Sequence, residues 1–193
     1  GQAAFPGGAA DPGDDGPVHT ALREATEETG IDATRLHPLA TLERMFIPPS
    51  GFHVVPVLSY SPDPGPVAVV DSSETALVAR VPVRAFVNPE NRIMVYRREN
   101  TRRSAGPAFL LNEMVVWGGF TGQIIAAMLD VAGWAQPWDT DNVRELSDAM
   151  AVLDSRAATV MPNYDTVAVA RYSHSRRRDH RRRLRLAVRR AGF

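Results

Sequence analysis

A chain of 193 residues suits one domain and is long enough to bury a substantial hydrophobic core. Because it has no cysteine and no run of about 18 apolar residues, disulfides, thiolate metal sites and a membrane-spanning helix are excluded. The formal net charge of 0 hides an asymmetry, since residues 171–193 hold ten arginines against one acid, Asp179. The first 170 residues are correspondingly acidic.

The first predicted element is a glycine-containing loop that leads into a short helix. The loop starts with residues 1–8 (GQAAFPGG) and continues through three aspartates to Gly16. Gly16-Pro17 predicts the start of the helix, because proline is tolerated at the first helical position. Gly30 predicts its end, because glycine readily adopts the left-handed conformation that terminates helices.

Three glutamates of this helix, Glu24, Glu27 and Glu28, are spaced i, i+3 and i+4 and therefore share one face. Their mutual repulsion costs roughly 0.2–0.5 kcal/mol per i,i+4 pair. Arg23, the only base in the same turn, is expected to point elsewhere on the helix. A divalent cation such as Mg2+ or Mn2+ is the natural balancing charge, because hard ions take oxygen ligands. The alternative for three glutamates alone is a solvated acidic face.

Downstream of this helix the sequence predicts short strands and two further helices. Strands are expected at residues 39–46, 52–60, 67–70, 77–81 and 93–96, and as a hairpin of 107–111 with 113–117. Pro56 argues for an edge or a bulge in its strand. One helix is expected after Thr121 as its cap and before Gly133 as its stop, and another after Thr140.

The C-terminal part of the chain differs from the rest. Beyond Ser155 the apolar periodicity fades, and residues 156–193 are expected to form a basic, disordered tail. The alternative is an arm whose arginines bind nucleic acid or an anionic membrane surface, which would give weak binding of polyanions. All 22 basic residues are arginine, which indicates a GC-rich coding sequence and a bacterial source. No secretory leader is visible, so we expect a cytoplasmic protein.

Residues 23–31 (REATEETGI) resemble the second half of the Nudix box, whose pattern is Gly-x5-Glu-x7-Arg-Glu-aliphatic-x-Glu-Glu-x-Gly-aliphatic. The first half departs from that pattern, because the loop has one extra residue and the first acid is Asp14 or Asp15. The lead-in formed by residues 1–8 is similar to that of one branch of the family, the coenzyme A pyrophosphatases. That branch carries a G-x-x-A-F-P-G-G lead-in and tolerates the extra loop residue.

The resemblance implies an α/β fold, a Nudix-type α/β/α sandwich with a mixed central sheet, over residues 1–155. Because the chain opens directly on the lead-in, we expect the sheet to lack its first strand or strands, leaving an unpaired edge. The implied activity is metal-dependent hydrolysis of a diphosphate linkage in coenzyme A or acyl-CoA, giving 3′,5′-ADP and a 4′-phosphopantetheine product. The alternatives are another nucleoside diphosphate derivative such as ADP-ribose, or a truncated inactive fragment.

The resemblance also assigns roles within the box. Glu24 and Glu28 are the strongest expected ligands for Mg2+ or Mn2+, with Glu27 a further ligand or a partner of the attacking water. Arg23 is expected to hold a box glutamate through a bidentate contact. Arg23, Glu27 and Glu28 are the candidate catalytic residues of the box. One carboxylate must accept a proton from the water, and Arg23 is included because it holds a glutamate in place.

Further candidates lie outside the three-glutamate face. Gly7 and Gly8 are expected to bind substrate, because they let the backbone approach the helix without a side-chain clash, and Phe5 is grouped with them. Glu74 precedes a predicted strand that ends in Val-Pro, and in some relatives a carboxylate outside the box is the general base. Glu74 is therefore a catalytic candidate, and the favoured alternative is a solvated loop glutamate. A nucleotide-like small-molecule substrate is implied, and a homodimer is left open.

Overall fold

The computed structural model describes residues 2–48, 50–73, 75–99, 102–111, 114–117, 119–154 and 166–172. Its elements, in chain order, are β1 (Gln2–Ala4), α1 (Pro17–Thr29), β2 (His37–Thr41), β3 (Met45–Ile47), β4 (Phe52–Val54), β5 (Val57–Tyr60), β6 (Thr75–Pro82), α2 (Val83–Val87), β7 (Arg92–Glu99), β8 (Arg102–Leu111), β9 (Met114–Trp117), α3 (Thr121–Val131), β10 (Val143–Glu145), α4 (Leu146–Asp154) and β11 (Thr166–Tyr172). The chain divides into two compact units, the first built on Pro6–Ala79 and the second on Gln2–Phe5 and Arg80–Val169.

Helix α1 of the first unit begins and ends where its sequence predicts. Pro17 occupies the first helical position after Gly16. At the other end Gly30 is left-handed, with φ 68°, and its N–H donates to the Thr26 carbonyl oxygen at 2.9 Å. These signals are local in sequence, so the neighbouring structure does not override them.

The strands of the first unit are shorter than predicted. The expected strand at 39–46 is split into β2 and β3, and that at 52–60 into β4 and β5. Antiparallel pairing joins β2 to β5 and β3 to β4, with an irregularity between Pro38 and Ala40. Pro56 lies in the gap between β4 and β5, as expected for a residue without an N–H to donate, and its carbonyl accepts from Leu42 N–H at 2.9 Å. The strand predicted at 67–70 is wrong, because these residues are irregular and Ala68 N–H bonds to the Thr29 carbonyl.

The second unit contains a mixed four-stranded sheet in the order β10-β7-β8-β9. The β10–β7 pair is parallel, and β7–β8 and β8–β9 are antiparallel. Four residues of this sheet, Ile93, Val95, Ala108 and Val115, form a buried core cluster together with Ala149 of α4. A mixed sheet combined with helices confirms the predicted α/β fold class.

Helix α3 packs closely in this unit. Its buried apolar side chains are Ile124, Ile125, Ala126 and Leu129. A Cβ on Gly122 would lie 2.8 Å from the Trp117 carbonyl carbon and 2.9 Å from the Pro107 carbonyl oxygen. The helix therefore meets the backbone of β8 and β9 at a distance that only glycine allows.

Two details of the predicted helices are wrong. Thr121 is not the cap of α3 but its first residue, and it is buried, while Phe120 holds the cap position without a side-chain hydrogen bond. The helix expected after Thr140 begins only at Leu146, because residues 143–145 form β10 beside β7. The helical spacing of the apolar residues does not reveal β10, because a strand of three residues is too short to show the two-residue repeat that identifies strands.

Strand β11 lies within the range expected to be disordered tail. It is the middle strand of a three-stranded sheet in the order β1-β11-β6, so residues 166–172 depart from that expectation. Its sequence, TVAVARY, alternates β-branched and small residues, a pattern typical of strands. Residues 155–165 and 173–193 lie outside the described residues. Within the described part of the chain, no helix has the length and apolar character needed to span a membrane.

Candidate functional site

The candidate site is the face of α1 that carries the three glutamates. The Glu24 side chain is 15% exposed and that of Glu27 is 58% exposed. Glu28 is half buried, and its Oε2 accepts from the Gly7 N–H at 3.2 Å. The helix thus presents one largely buried carboxylate, that of Glu24, and one exposed carboxylate, that of Glu27, and the glycine loop contacts the third.

Arg23 connects this face to the preceding loop. Its Nη1 donates to Glu24 Oε1 at 3.0 Å and to Glu27 Oε2 at 2.9 Å. Its Nε and Nη2 donate to the two oxygens of Asp14 at 3.1 and 3.0 Å, and Nη2 also donates to the Ala9 carbonyl at 3.0 Å. The expectation that Arg23 points away from the glutamates is wrong, because its long side chain folds back along the helix. Its bidentate contact is with Asp14, and each glutamate receives one N–H.

Asp14, and not Asp15, is the acid that joins the site. Its side chain is 2% exposed and also accepts from Thr20 Oγ1 and the Asp11 N–H, both at 2.9 Å. The hydrogen bonds from Arg23, with that from the Asp11 backbone, hold the pKa of Asp14 well below its usual range. Asp15 is exposed. The extra loop residue left open whether Asp14 or Asp15 is the acid near the helix. The burial of Asp14 and its contacts with Arg23 identify it as that acid.

The electrostatic balance of the cluster is negative. Among the arginines of the described residues, Arg23 alone pairs with Asp11, Asp14, Glu24 and Glu27, and its pKa is raised mainly by its hydrogen bond with Asp14. Burial raises the pKa of Glu24 above its ordinary value, and this outweighs the opposing contact with Arg23. A second positive charge near these carboxylates would therefore be stabilised.

The two glycines of the loop differ in their surroundings. A Cβ built on Gly8 would overlap the carboxylate of Glu24, whereas one on Gly7 would meet no atom within 4 Å. Gly8 thus leaves the room that the Glu24 carboxylate occupies. Gly7 contributes through its backbone N–H to Glu28.

The donor set of the face suits a hard divalent cation. Glu24, Glu27 and Glu28 offer carboxylate oxygens only, the ligand type that Mg2+ and Mn2+ prefer. In the part of the chain that the structure describes, no three His, Asp or Glu side chains converge as a metal-binding group. Instead, Arg23 engages Glu24 and Glu27, so that a cation would have to compete with this guanidinium for the same oxygens. The glutamates therefore suit such an ion by ligand type and by charge, but in this arrangement their side chains do not converge on one point.

Two sequence-based candidates are not placed in this cluster. Phe5 is half buried and belongs to the second compact unit. Glu74 lies outside the described residues, so its role stays a prediction. Conversely, sequence reasoning missed Thr20, a buried residue on α1 whose hydroxyl contacts Asp14. Its position one turn before Arg23, on the side of α1 that faces the acidic loop, was the available signal.

Comparison with known proteins places the chain in a family. A family model described as NUDIX domain matches residues 1–103. A Yersinia enterocolitica protein named "Uncharacterized Nudix hydrolase NudL" is 49% identical over 63 residues, which are 33% of this chain and 32% of that relative. Proteins of the same name from Yersinia pestis and Yersinia pseudotuberculosis are 48% identical over 62 residues, 32% of this chain and 31% of each relative. The matched segment thus spans about a third of the length of these curated relatives. Since the family model covers more than half of the chain, this protein belongs to the Nudix family.

Proposed function

We propose that this protein hydrolyses a diphosphate linkage in coenzyme A or acyl-CoA, releasing 3′,5′-ADP and a 4′-phosphopantetheine product. Nudix hydrolases generally use divalent metal ions, and the family binds small nucleotide-derived substrates. The observation that carries the proposal is the acidic face of α1, where one guanidinium is shared by Asp14, Glu24 and Glu27. Such an excess of carboxylate oxygens suits a cation and its phosphate ligand.

Glu24, Glu27 and Glu28 would hold Mg2+ or Mn2+, which supplies charge neutralisation at the diphosphate and a more acidic water. Arg23, itself anchored by Asp14, positions Glu24 and Glu27 on one side of the helix. Water attacks one phosphorus atom, the bridging P–O bond breaks, and a carboxylate accepts the proton of the water. Glu27, the exposed member of the three, and Glu28 are the candidates on α1 for that acceptor, with Glu74 outside the box.

The substrate assignment rests on the loop. The lead-in of residues 1–8 and the extra residue before Arg23 are shared with coenzyme A pyrophosphatases, as the sequence pattern indicates. In the structure Gly7 and Gly8 of this lead-in lie against Glu28 and Glu24. We therefore assign the lead-in to the substrate side of the site.

The test is turnover of coenzyme A against ADP-ribose, with and without Mg2+ or Mn2+, with the nucleotide products separated by chromatography. We expect release of 3′,5′-ADP from coenzyme A that depends on the cation. In Glu28→Gln the rate should fall by at least about 100-fold, the range for loss of a general base or a charged partner. Glu43→Gln, an exposed glutamate of the same unit, is the matched control and should retain the rate.

The outcomes separate substrate from chemistry. Cleavage of ADP-ribose without cleavage of coenzyme A would overturn the substrate assignment and keep the diphosphate chemistry. Failure to cleave either compound in the presence of both cations would overturn the proposed activity. Equal rates in Glu28→Gln and Glu43→Gln would show that the α1 face is not the site.

A further inference from the structure

Arg92, the first residue of β7, is a buried cation in contact with two aromatic rings. Arg92 is 8% exposed to solvent. Its guanidinium carbon lies 5.7 Å from the ring centre of Phe109, its backbone partner on β8, and 4.7 Å from that of Trp138. Trp138 is half buried and lies in the irregular segment between α3 and β10. Both distances lie within the range of cation–π contacts, which are made by the positive charge and not by the N–H groups as hydrogen-bond donors.

The edge of this guanidinium is incompletely satisfied. The Arg92 Nε is buried and has no hydrogen-bond partner. Among the described residues, no carboxylate forms an ion pair with Arg92, although Arg23 has four such partners and Arg35 has two. A buried charge without a counter-ion is unfavourable, and aromatic rings do not supply the negative charge that an arginine fork binds best.

We propose that Arg92 and Trp138 form a binding subsite for an oxyanion, that is, a phosphate or carboxylate group of a ligand. The planar fork of arginine matches both groups through two parallel N–H donations. The anion would bind at the N–H groups of the guanidinium, where the buried Nε has no partner. Trp138, whose ring contacts the guanidinium, belongs to a segment without helix or strand. This inference does not depend on the proposed hydrolysis, whose residues are Arg23, Glu24, Glu27 and Glu28.

The alternative is a purely structural role, in which the arginine fastens the Trp138 segment to the sheet. The two roles predict opposite effects of Arg92→Met, which removes the charge but keeps an unbranched apolar side chain between the rings. If Arg92 binds an anion, its charge is a liability in the absence of the anion, and the variant should melt at the same or a higher temperature. If Arg92 is a fastener, the variant should melt at a lower temperature.

The first experiment measures the melting temperature of the full chain against inorganic phosphate, with sodium chloride used to hold ionic strength constant. We expect phosphate to raise the melting temperature of the wild type more than that of Arg92→Met, because a ligand of the folded state stabilises it. Arg35→Met, which removes an exposed arginine of the first unit, is the matched control and should keep the wild-type response. Non-specific stabilisation by phosphate is common to all three proteins and cancels in the comparison.

The second experiment measures tryptophan fluorescence during titration with phosphate and, separately, with acetate. A saturable change that is lost in Trp138→Phe, and shifted to at least tenfold higher concentration in Arg92→Lys, would support the subsite. The relative strengths of the two anions would identify its preferred group. Arg92→Lys retains the charge, so this arm applies even where Arg92→Met fails to fold. Equal phosphate responses of wild type and Arg92→Met, or no saturable change in fluorescence with either anion, would overturn the proposal.

Discussion

At the scale of single residues, Arg23 is the link between loop and helix. All three of its guanidinium nitrogens donate, to Asp14 and Ala9 of the loop and to Glu24 and Glu27 of α1. Arginine suits this role because the N–H groups of its planar guanidinium point in fixed directions, so that it can donate to acceptors on two sides at once. The position of the glutamates is thus set by a residue whose own position depends on Asp14.

Asp14→Asn should therefore disturb the site without touching a glutamate. The amide cannot accept both guanidinium bonds with a full negative charge, so Arg23 loses its anchor. We expect kcat/KM to fall by about 10–100-fold, the usual cost of losing a residue that orients a metal ligand. Asp15→Asn is the matched control, because Asp15 is exposed, and it should remain close to wild type. Equal losses in the two variants would contradict the asymmetry between these aspartates.

The lowered pKa of Asp14 predicts that the protein loses folding stability at acid pH. The pKa of Asp14 in the folded protein is below the ordinary value of about 3.9, because Arg23 and the Asp11 N–H favour the carboxylate. The stabilisation is therefore fully present above that ordinary value and is lost as the pH falls through the lowered pKa. Urea denaturation from pH 6 down to pH 2 should show a decline in the free energy of unfolding that is shallower in Asp14→Asn. If the decline is unchanged in this variant, the loss of stability at acid pH comes from other carboxylates.

Gly8 offers a test at the loop. Gly8→Ala would place a Cβ against the Glu24 carboxylate, which is the end of a side chain and can move aside. We expect little change in melting temperature and a loss of activity of about tenfold or more, since small displacements of catalytic groups are costly. Gly13→Ala is the control, because its Cβ meets no atom within 4 Å and its φ is not left-handed, so it should retain activity. Equal activities of the two variants would show that the room left by Gly8 is not needed by Glu24.

At the scale of elements, local signals decided what could be predicted. Helix α1 was predictable because Pro17 and Gly30 act on their own backbone. The breaks between β2 and β3 and between β4 and β5 depend on which strand pairs with which, and a single sequence does not contain that information. Strand β10 was missed for the same reason, since its pairing with β7 is long-range. Within the site, the helix spacing grouped the glutamates, whereas the fold of the loop was needed to distinguish Asp14 from Asp15.

Close packing of α3 gives a prediction at this scale. Gly122→Ala would bring a Cβ within 3 Å of backbone atoms of Trp117 and Pro107, which cannot move cheaply. We expect a loss of about 1–3 kcal/mol in the free energy of unfolding, even though alanine favours helix by about 1 kcal/mol. Gly119→Ala is the control, because no atom lies within 4 Å of its Cβ and its φ is not left-handed. A stabilised Gly122→Ala in chemical denaturation would contradict this packing.

At the scale of the whole molecule, the described apolar core is unevenly divided. Of the buried apolar side chains in the described residues, Ile31 alone belongs to the first unit, and the second unit holds the remainder, among them Phe86, Phe109 and Val116. Buried apolar area is the main source of folding free energy. The second unit therefore provides most of the hydrophobic stabilisation, and the first unit carries the candidate site.

Strand β11 extends this picture to the C-terminal region. Since β11 lies between β1 and β6, a chain ending at residue 155 would lose the middle strand of that sheet. Because each hydrogen bond of a lost middle strand contributes about 0.5–1.5 kcal/mol, truncation should lower the free energy of unfolding by roughly 2 kcal/mol or more. A chain ending at residue 172 retains β11 and is the control. Equal stability of the two truncated chains in urea would show that β11 does not contribute to the fold in solution.

The described part of the first unit has almost no buried apolar side chains. The order of this unit should therefore depend on whether a ligand is bound at the α1 face. Where polar contacts such as those of Arg23 provide much of the cohesion, local opening requires little free energy. A ligand that binds the closed form of such a region stabilises it in proportion to RT ln(1 + [L]/Kd). The α1 face would then become most rigid when it is occupied, so that the ligand itself completes the folding of the unit that binds it.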